Sequence, residues 1–132
     1  MTRWRWLEAA GLIAMHREVI AEFGGRPGLR DQALLESAAA RPKNLAAYGP
    51  TSAFDLAAAY AFGLARNHPF IDGNKRIALI ASYTFLELNG WEVHAEETAS
   101  VLVFVDLAAV KLDEKQLARW LEANSRRATS RT

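Results

Sequence analysis

The stretch AFDLAAAYAFGLARNHPFIDGNKRIALIASYTFLEL, residues 53–88, decides how this chain is read. Its two outer parts are rich in Ala, Leu, Ile and aromatic residues and poor in β-branched runs, which favours helix. Ser52 or Thr51 stands where an N-cap is expected, and a helix is predicted over residues 53–66. A second helix is predicted over residues 74–88, stopped by Asn89-Gly90. Both are apolar nearly all round, so both should lie in the centre of the molecule. Between them runs Arg66-Asn67-His68-Pro69-Phe70-Ile71-Asp72-Gly73-Asn74-Lys75-Arg76, a segment far too rich in reactive groups for a plain connection.

Outward from this pair, residues 7–23 alternate apolar and charged positions as an amphipathic helix does, and Gly24-Gly25-Arg26-Pro27-Gly28 ends them. Asp31 is placed to cap a short helix running to about residue 40, which Pro42 should terminate. Residues 91–94 alternate and read as extended. Two further helices are predicted over residues 96–110 and 113–124. The polar, basic tail of residues 125–132 is expected to fray. The expectation is one all-α domain over residues 1–124, a compact bundle of about six helices.

The chain has 132 residues, 51% of them hydrophobic, enough for a single core. It has no cysteine, which removes disulfides and thiolate zinc sites and fits a reducing cytoplasm. No apolar stretch follows the N-terminal Met1-Thr2-Arg3-Trp4-Arg5, so no signal peptide is expected, and no run approaches the ~20 apolar residues of a membrane span. A net charge of +1 gives no global attraction to nucleic acid or anionic lipid, so any anion site must be local.

The segment between the two central helices has the parts of such a site. His68, with an ordinary pKa near ~6.5, suits proton abstraction at neutral pH. Pro69 stiffens the turn and Phe70 should anchor it in the core. Asp72 is a hard oxygen ligand of the kind Mg²⁺ takes beside phosphate oxygens. Gly73 and Asn74 open a helix whose first N–H groups form a ready anion site. Lys75 and Arg76 sit at the wrong end of the helix dipole, costing up to ~1 kcal/mol each, a cost that a bound phosphate reverses. Each residue also has a plainer role: His68 as a cap, Asp72 and Arg76 as a local ion pair worth ~0.3–0.5 kcal/mol, Gly73-Asn74 as a turn. All of these in one loop favour the site.

His68-Pro69-Phe70-Ile71-Asp72-Gly73-Asn74-Lys75-Arg76 resembles the signature of the Fic/Doc superfamily. Fic adenylyltransferases carry Gly where this chain has Lys75, and Lys is the mark of the Doc, or death-on-curing, branch. Residues 12–16, 23–31, 35–38 and 85–90 are similar to that branch as well. The resemblance implies a compact helical fold and a toxin that transfers the γ-phosphoryl group of ATP or another NTP, with Mg²⁺, to a hydroxyl of a protein. The type of target implied is a translation factor such as elongation factor Tu. Carried over by position, His68 would be the base and Asp72 the Mg²⁺ ligand. Gly73, Asn74, Lys75 and Arg76 would cradle phosphates, and Arg66 would assist them. A Lys in place of Gly fills the room a phosphate would take on the backbone and supplies a charge for the group in flight, which favours phosphoryl over AMP transfer. The alternatives are a Fic-type adenylyltransferase and a vestigial module that only binds its antitoxin.

A Doc toxin can carry Asn one turn after the Arg, where this chain has Ile80. The self-inhibitory [S/T]-x-x-x-E-[G/N] string of some Fic proteins is missing, so restraint is expected from a separate, cognate antitoxin. His16, in the first helix, and His94 are expected to be structural. Trp4, Trp6, Trp91 and Trp120 are expected to serve the core or antitoxin contact.

Overall fold

The computed structural model describes residues 3–129. Six helices and one two-stranded sheet follow in the order α1 (Ala9–Phe23), α2 (Gln32–Ala47), α3 (Ala53–Asn67), α4 (Asn74–Leu88), β1 (Trp91–Val93), α5 (Glu97–Ala108), α6 (Glu114–Ala123) and β2 (Ser125–Arg127). The all-α reading holds. The centre is α3, started by a capping box in which the Ser52 hydroxyl accepts from Asp55 N–H at 3.1 Å and the Asp55 carboxylate accepts from Ser52 N–H at 3.2 Å. Ser52, not Thr51, is the cap. Alanines at 57, 58, 59, 61 and 65 are buried and keep the helix slim, so α2, α4 and α6 pack closely round it. At Gly63 the approach is tightest: a Cβ there would lie 3.1 Å from the Ala38 Cα of α2.

The larger side chains fill the space the alanines leave. Phe85 of α4 is fully buried and meets Tyr60, Trp4 and Trp6 at centroid distances of 5.2, 6.1 and 5.9 Å. Trp91 and Phe54 meet in an edge-to-face arrangement with centroids 4.8 Å apart, and Trp120 also packs on the core. The tryptophans therefore belong to the core's margin.

Two expectations fail. Pro42 does not end α2, which continues through it to Ala47. One helical hydrogen bond is lost there, but Pro42 is buried and Leu45 and Ala46 beyond it still pack on the core, which holds the last turn in place. Nor does the tail fray from residue 125. Ser125–Arg127 pair antiparallel with Trp91–Val93, Trp91 opposite Arg127, and the Arg127 guanidinium lies 4.6 Å over the Trp91 ring. Residues 130–132 lie outside the described residues. Smaller shifts concern boundaries: Leu7 precedes α1 because its backbone is bound elsewhere.

That binding partner is Tyr60. Its hydroxyl accepts from Leu7 N–H at 2.8 Å and donates to Leu7 C=O at 2.9 Å, tying the N-terminal segment to α3. Burial pushes the phenol up to about 12. Tyr60→Phe strands both Leu7 groups and should cost about 1–3 kcal/mol in chemical denaturation. An unfolded tyrosine ionises near 10, so this residue's contribution is complete below that pH and is lost as the pH rises to about 12. The Phe variant should lack that alkaline slope.

Candidate active site

The chain reverses between α3 and α4 through residues 68–73, and most backbone groups there have a partner. His68 caps the C-terminus of α3 in the left-handed region, φ 50° and ψ 57°, a conformation costing a non-glycine residue about 1 kcal/mol. Arg30 holds it there, donating from Nε to His68 C=O at 2.6 Å and from Nη2 to Asn67 C=O at 2.8 Å. Pro69 C=O accepts from Arg30 and Asp31 N–H at 2.7 and 3.0 Å, and Ile71 N–H donates to Gly28 C=O at 3.0 Å. Leu29 and Phe70 form an isolated antiparallel bridge. The residues around 28–31 thus act as a clasp on residues 67–71.

Inside the turn, the buried Asn74 side chain brackets Phe70. Its Oδ1 accepts from Phe70 N–H at 3.0 Å and its Nδ2 donates to Phe70 C=O at 2.9 Å. Phe70 is buried, as expected, with its ring stacked on His16 of α1. Asn74 therefore offers a ligand only its backbone, since its amide is committed to the loop. Gly73, the N-cap of α4, is left-handed with φ 77°, which only glycine takes freely.

Asp72 is exposed, and both its oxygens accept backbone N–H groups: Oδ2 from Arg26 at 3.1 Å and Oδ1 from Gly73 at 2.8 Å. These two bonds, aided by the charge of Arg26, hold the carboxyl below the usual carboxylate value. It is thus a charged oxygen donor with lone pairs to spare. Among the described residues no three His, Asp or Glu groups cluster to form a metal cage. A lone carboxylate suits Mg²⁺ that arrives on phosphate oxygens and keeps part of its water.

A cavity of about 430 Å³ joins these groups. One wall is His68, Asp72 and the first turn of α4 with Gly73, Asn74, Lys75 and Arg76; the other is apolar, from Leu79 of α4 and Val101, Phe104 and Val105 of α5. No side chain caps α4, so the N–H groups of its first turn are left for a ligand. Six of the seven residues singled out in the sequence line this one cavity. Arg66 does not: its guanidinium lies 5.2 Å over the Phe62 ring. Arg76 makes no ion pair with Asp72; its guanidinium lies 4.0 Å over the Phe23 ring of α1. Ile80 is half-buried, and Leu79 is the apolar residue of that turn facing the cavity. His94 pairs with Glu92 on the surface at 3.1 Å, away from these residues.

A family profile described as the Fic/DOC family matches residues 6–86. The chain belongs to the Fic/DOC family. The match takes in the clasp, the turn and nearly all of α4, and stops short of the α5 wall. A protein named Toxin Doc, from Mycolicibacterium smegmatis, is 46% identical over 77 residues, covering 56% of this chain and 58% of that protein. A protein named Protein kinase doc, from Escherichia phage P1, is 38% identical over 90 residues, covering 67% and 71%. The chain therefore spans less than two thirds of the first of these relatives.

The contacts of residues 25–31 with the turn are not legible residue by residue in the sequence. Gly24-Gly25-Arg26-Pro27-Gly28 reads as a helix stop, yet a Cβ on Gly25 would lie 2.9 Å from Asp72 Oδ2, and its φ is 114°. Gly25→Ala should therefore displace the Asp72 carboxylate and cost about 1–3 kcal/mol. Thermal unfolding reads the cost, and the ¹H–¹⁵N resonances of Arg26 and Gly73, the carboxylate's two donors, read the displacement.

Proposed function

We propose that this chain is a Doc-type toxin that transfers the γ-phosphoryl group of ATP, or another NTP, to a hydroxyl of a target protein. The observation that carries this is one cavity combining a histidine, a carboxylate with its pKa held below the usual value and an uncapped helix N-terminus with two cations. The names of the two relatives, a toxin and a protein kinase, agree with it.

In this reading the phosphates lie against the first N–H groups of α4, where the dipole and the N–H donors favour negative charge. Asp72 would hold Mg²⁺, which would supply charge neutralisation to the phosphates. His68, exposed at the cavity edge, takes the proton of the target hydroxyl as that oxygen bonds to the γ-phosphorus. The bond to the β–γ bridging oxygen breaks and the nucleoside diphosphate leaves. Lys75, exposed at the first turn, neutralises charge on the group in flight, and Arg76 swings from the Phe23 face to a phosphate oxygen. Arg66 can assist only by leaving the Phe62 ring, so its part is the smallest. The target is proposed to be a translation factor of the elongation factor Tu type, which puts the activity in the cytoplasm. The exposed apolar side chains Val101, Leu102 and Val105, on α5 beside the cavity, support a cognate antitoxin as the restraining partner.

Labelled ATP tests the reaction. With Mg²⁺ and bacterial lysate, label from the γ position should appear in one protein and label from the α position in none. His68→Ala and Asp72→Asn should each lower the rate at least ~100-fold while leaving the fold intact by circular dichroism. Transfer from the α position would show an adenylyltransferase instead, and no transfer from either would favour a module that only binds its antitoxin.

A further inference from the structure

His16 has an expected structural role, yet its contacts run to the site. It comes from α1, 56 residues before Asp72, and is 2% exposed. Its Nε2 lies 2.7 Å from Asp72 C=O. A carbonyl oxygen only accepts, so Nε2 carries the hydrogen and donates it. The ring is stacked on Phe70, centroids 3.8 Å apart and planes within 5°. A Cβ on Gly73 would lie 3.5 Å from Nε2, so the ring rests against the N-cap of α4 as well.

The peptide joining Asp72 to Gly73 is consequently fixed at both ends. Its C=O accepts from His16, and its N–H donates to the Asp72 carboxylate at 2.8 Å. Rotation of this peptide would swing the carboxylate off the cavity and turn the first N–H groups of α4 with it. We propose that His16 is a positioning residue for phosphoryl transfer: its Nε2–H fixes the Asp72–Gly73 peptide so that carboxylate and helix N-terminus face one phosphate chain. This rests on the phosphotransfer reading of the site. His16 reaches the substrate through Asp72 and Gly73 and not by contact.

Two variants separate donor from ring. His16→Phe keeps a ring to stack on Phe70 and removes the donor. His16→Gln keeps an N–H donor at similar reach and gives up the stack. Displacing reacting groups acts on the chemical step more than on binding, so His16→Phe should lower kcat ~10- to 100-fold with the KM for ATP changed less than ~3-fold. His16→Gln should restore most of the rate. The Gly73 amide resonance in ¹H–¹⁵N spectra should move in the Phe variant and return toward the wild-type position in the Gln variant, with no nucleotide present.

Wild-type kcat and an unmoved Gly73 resonance in His16→Phe overturn the proposal. Equal kcat losses in both variants also overturn it, because the stack and not the donor would then matter. If His16→Phe does not fold, His16→Gln decides: near-wild-type kcat supports the donor role, and lost kcat at wild-type stability contradicts it. If the wild type transfers no phosphoryl group, the functional reading fails while the Gly73 resonance still judges the role of His16.

Discussion

The chain must reverse within residues 68–73 between two buried helices, and each polar backbone group in that turn needs a partner. Most of what is distinctive in the structure follows from this constraint. Helices α3 and α4 cannot separate to ease the turn, because alanines along α3 bring its neighbours close. The partners therefore come from outside: the 28–31 clasp on one flank, His16 of α1 on the other, and Asn74 from within. Each such hydrogen bond contributes about 1 kcal/mol net, but leaving one unmade costs as much as ~3 kcal/mol. The turn is held more by what disorder in it would strand than by what its order gains.

Rigidity of this kind matters for a site that works by placement. Phosphoryl transfer asks the protein to position a nucleotide and neutralise its charge, with little covalent help. In the proposed reading the backbone of the turn would do the positioning and the side chains around it the neutralising. The C-terminal end of α3 delivers His68, the N-terminus of α4 delivers free N–H groups, and Asp72 stands between them as a charged oxygen donor. The cations are less constrained. Lys75 is exposed, and Arg76 is parked on an aromatic ring that gives up its hold at a cost of about 0.5–1 kcal/mol. The division is between a hydrogen-bonded backbone and side-chain charges that the turn does not hold.

Much of this was legible in the sequence. The apolar character of residues 53–66 and 74–88 gave the two central helices, and the reactive residues between them gave the cavity wall. What stayed hidden depends on tertiary contact. Pro42 is a helix stop by local chemistry, and the burial of Pro42 and packing of Leu45 override it. Ser125–Arg127 look like a fraying tail until Trp91–Val93 offer a strand to pair with. Gly25, Arg26, Arg30 and His16 lie 38 to 56 residues from the turn groups they serve, and periodicity carries no information about such pairs. The α5 wall could not be read either, since a helix apolar on several faces does not reveal which face lines a cavity.

In the proposed function the turn is already arranged, before any ligand binds, to hold a phosphate chain at the N-terminus of α4. A crystal structure of the chain with Mg²⁺ and a non-hydrolysable ATP analogue tests it most directly. Phosphate oxygens should lie within hydrogen-bond distance of the first-turn N–H groups, with the metal on Asp72 and the backbone of residues 68–73 shifted by less than ~1 Å. Phosphates bound elsewhere, or a turn rebuilt around them, would contradict it.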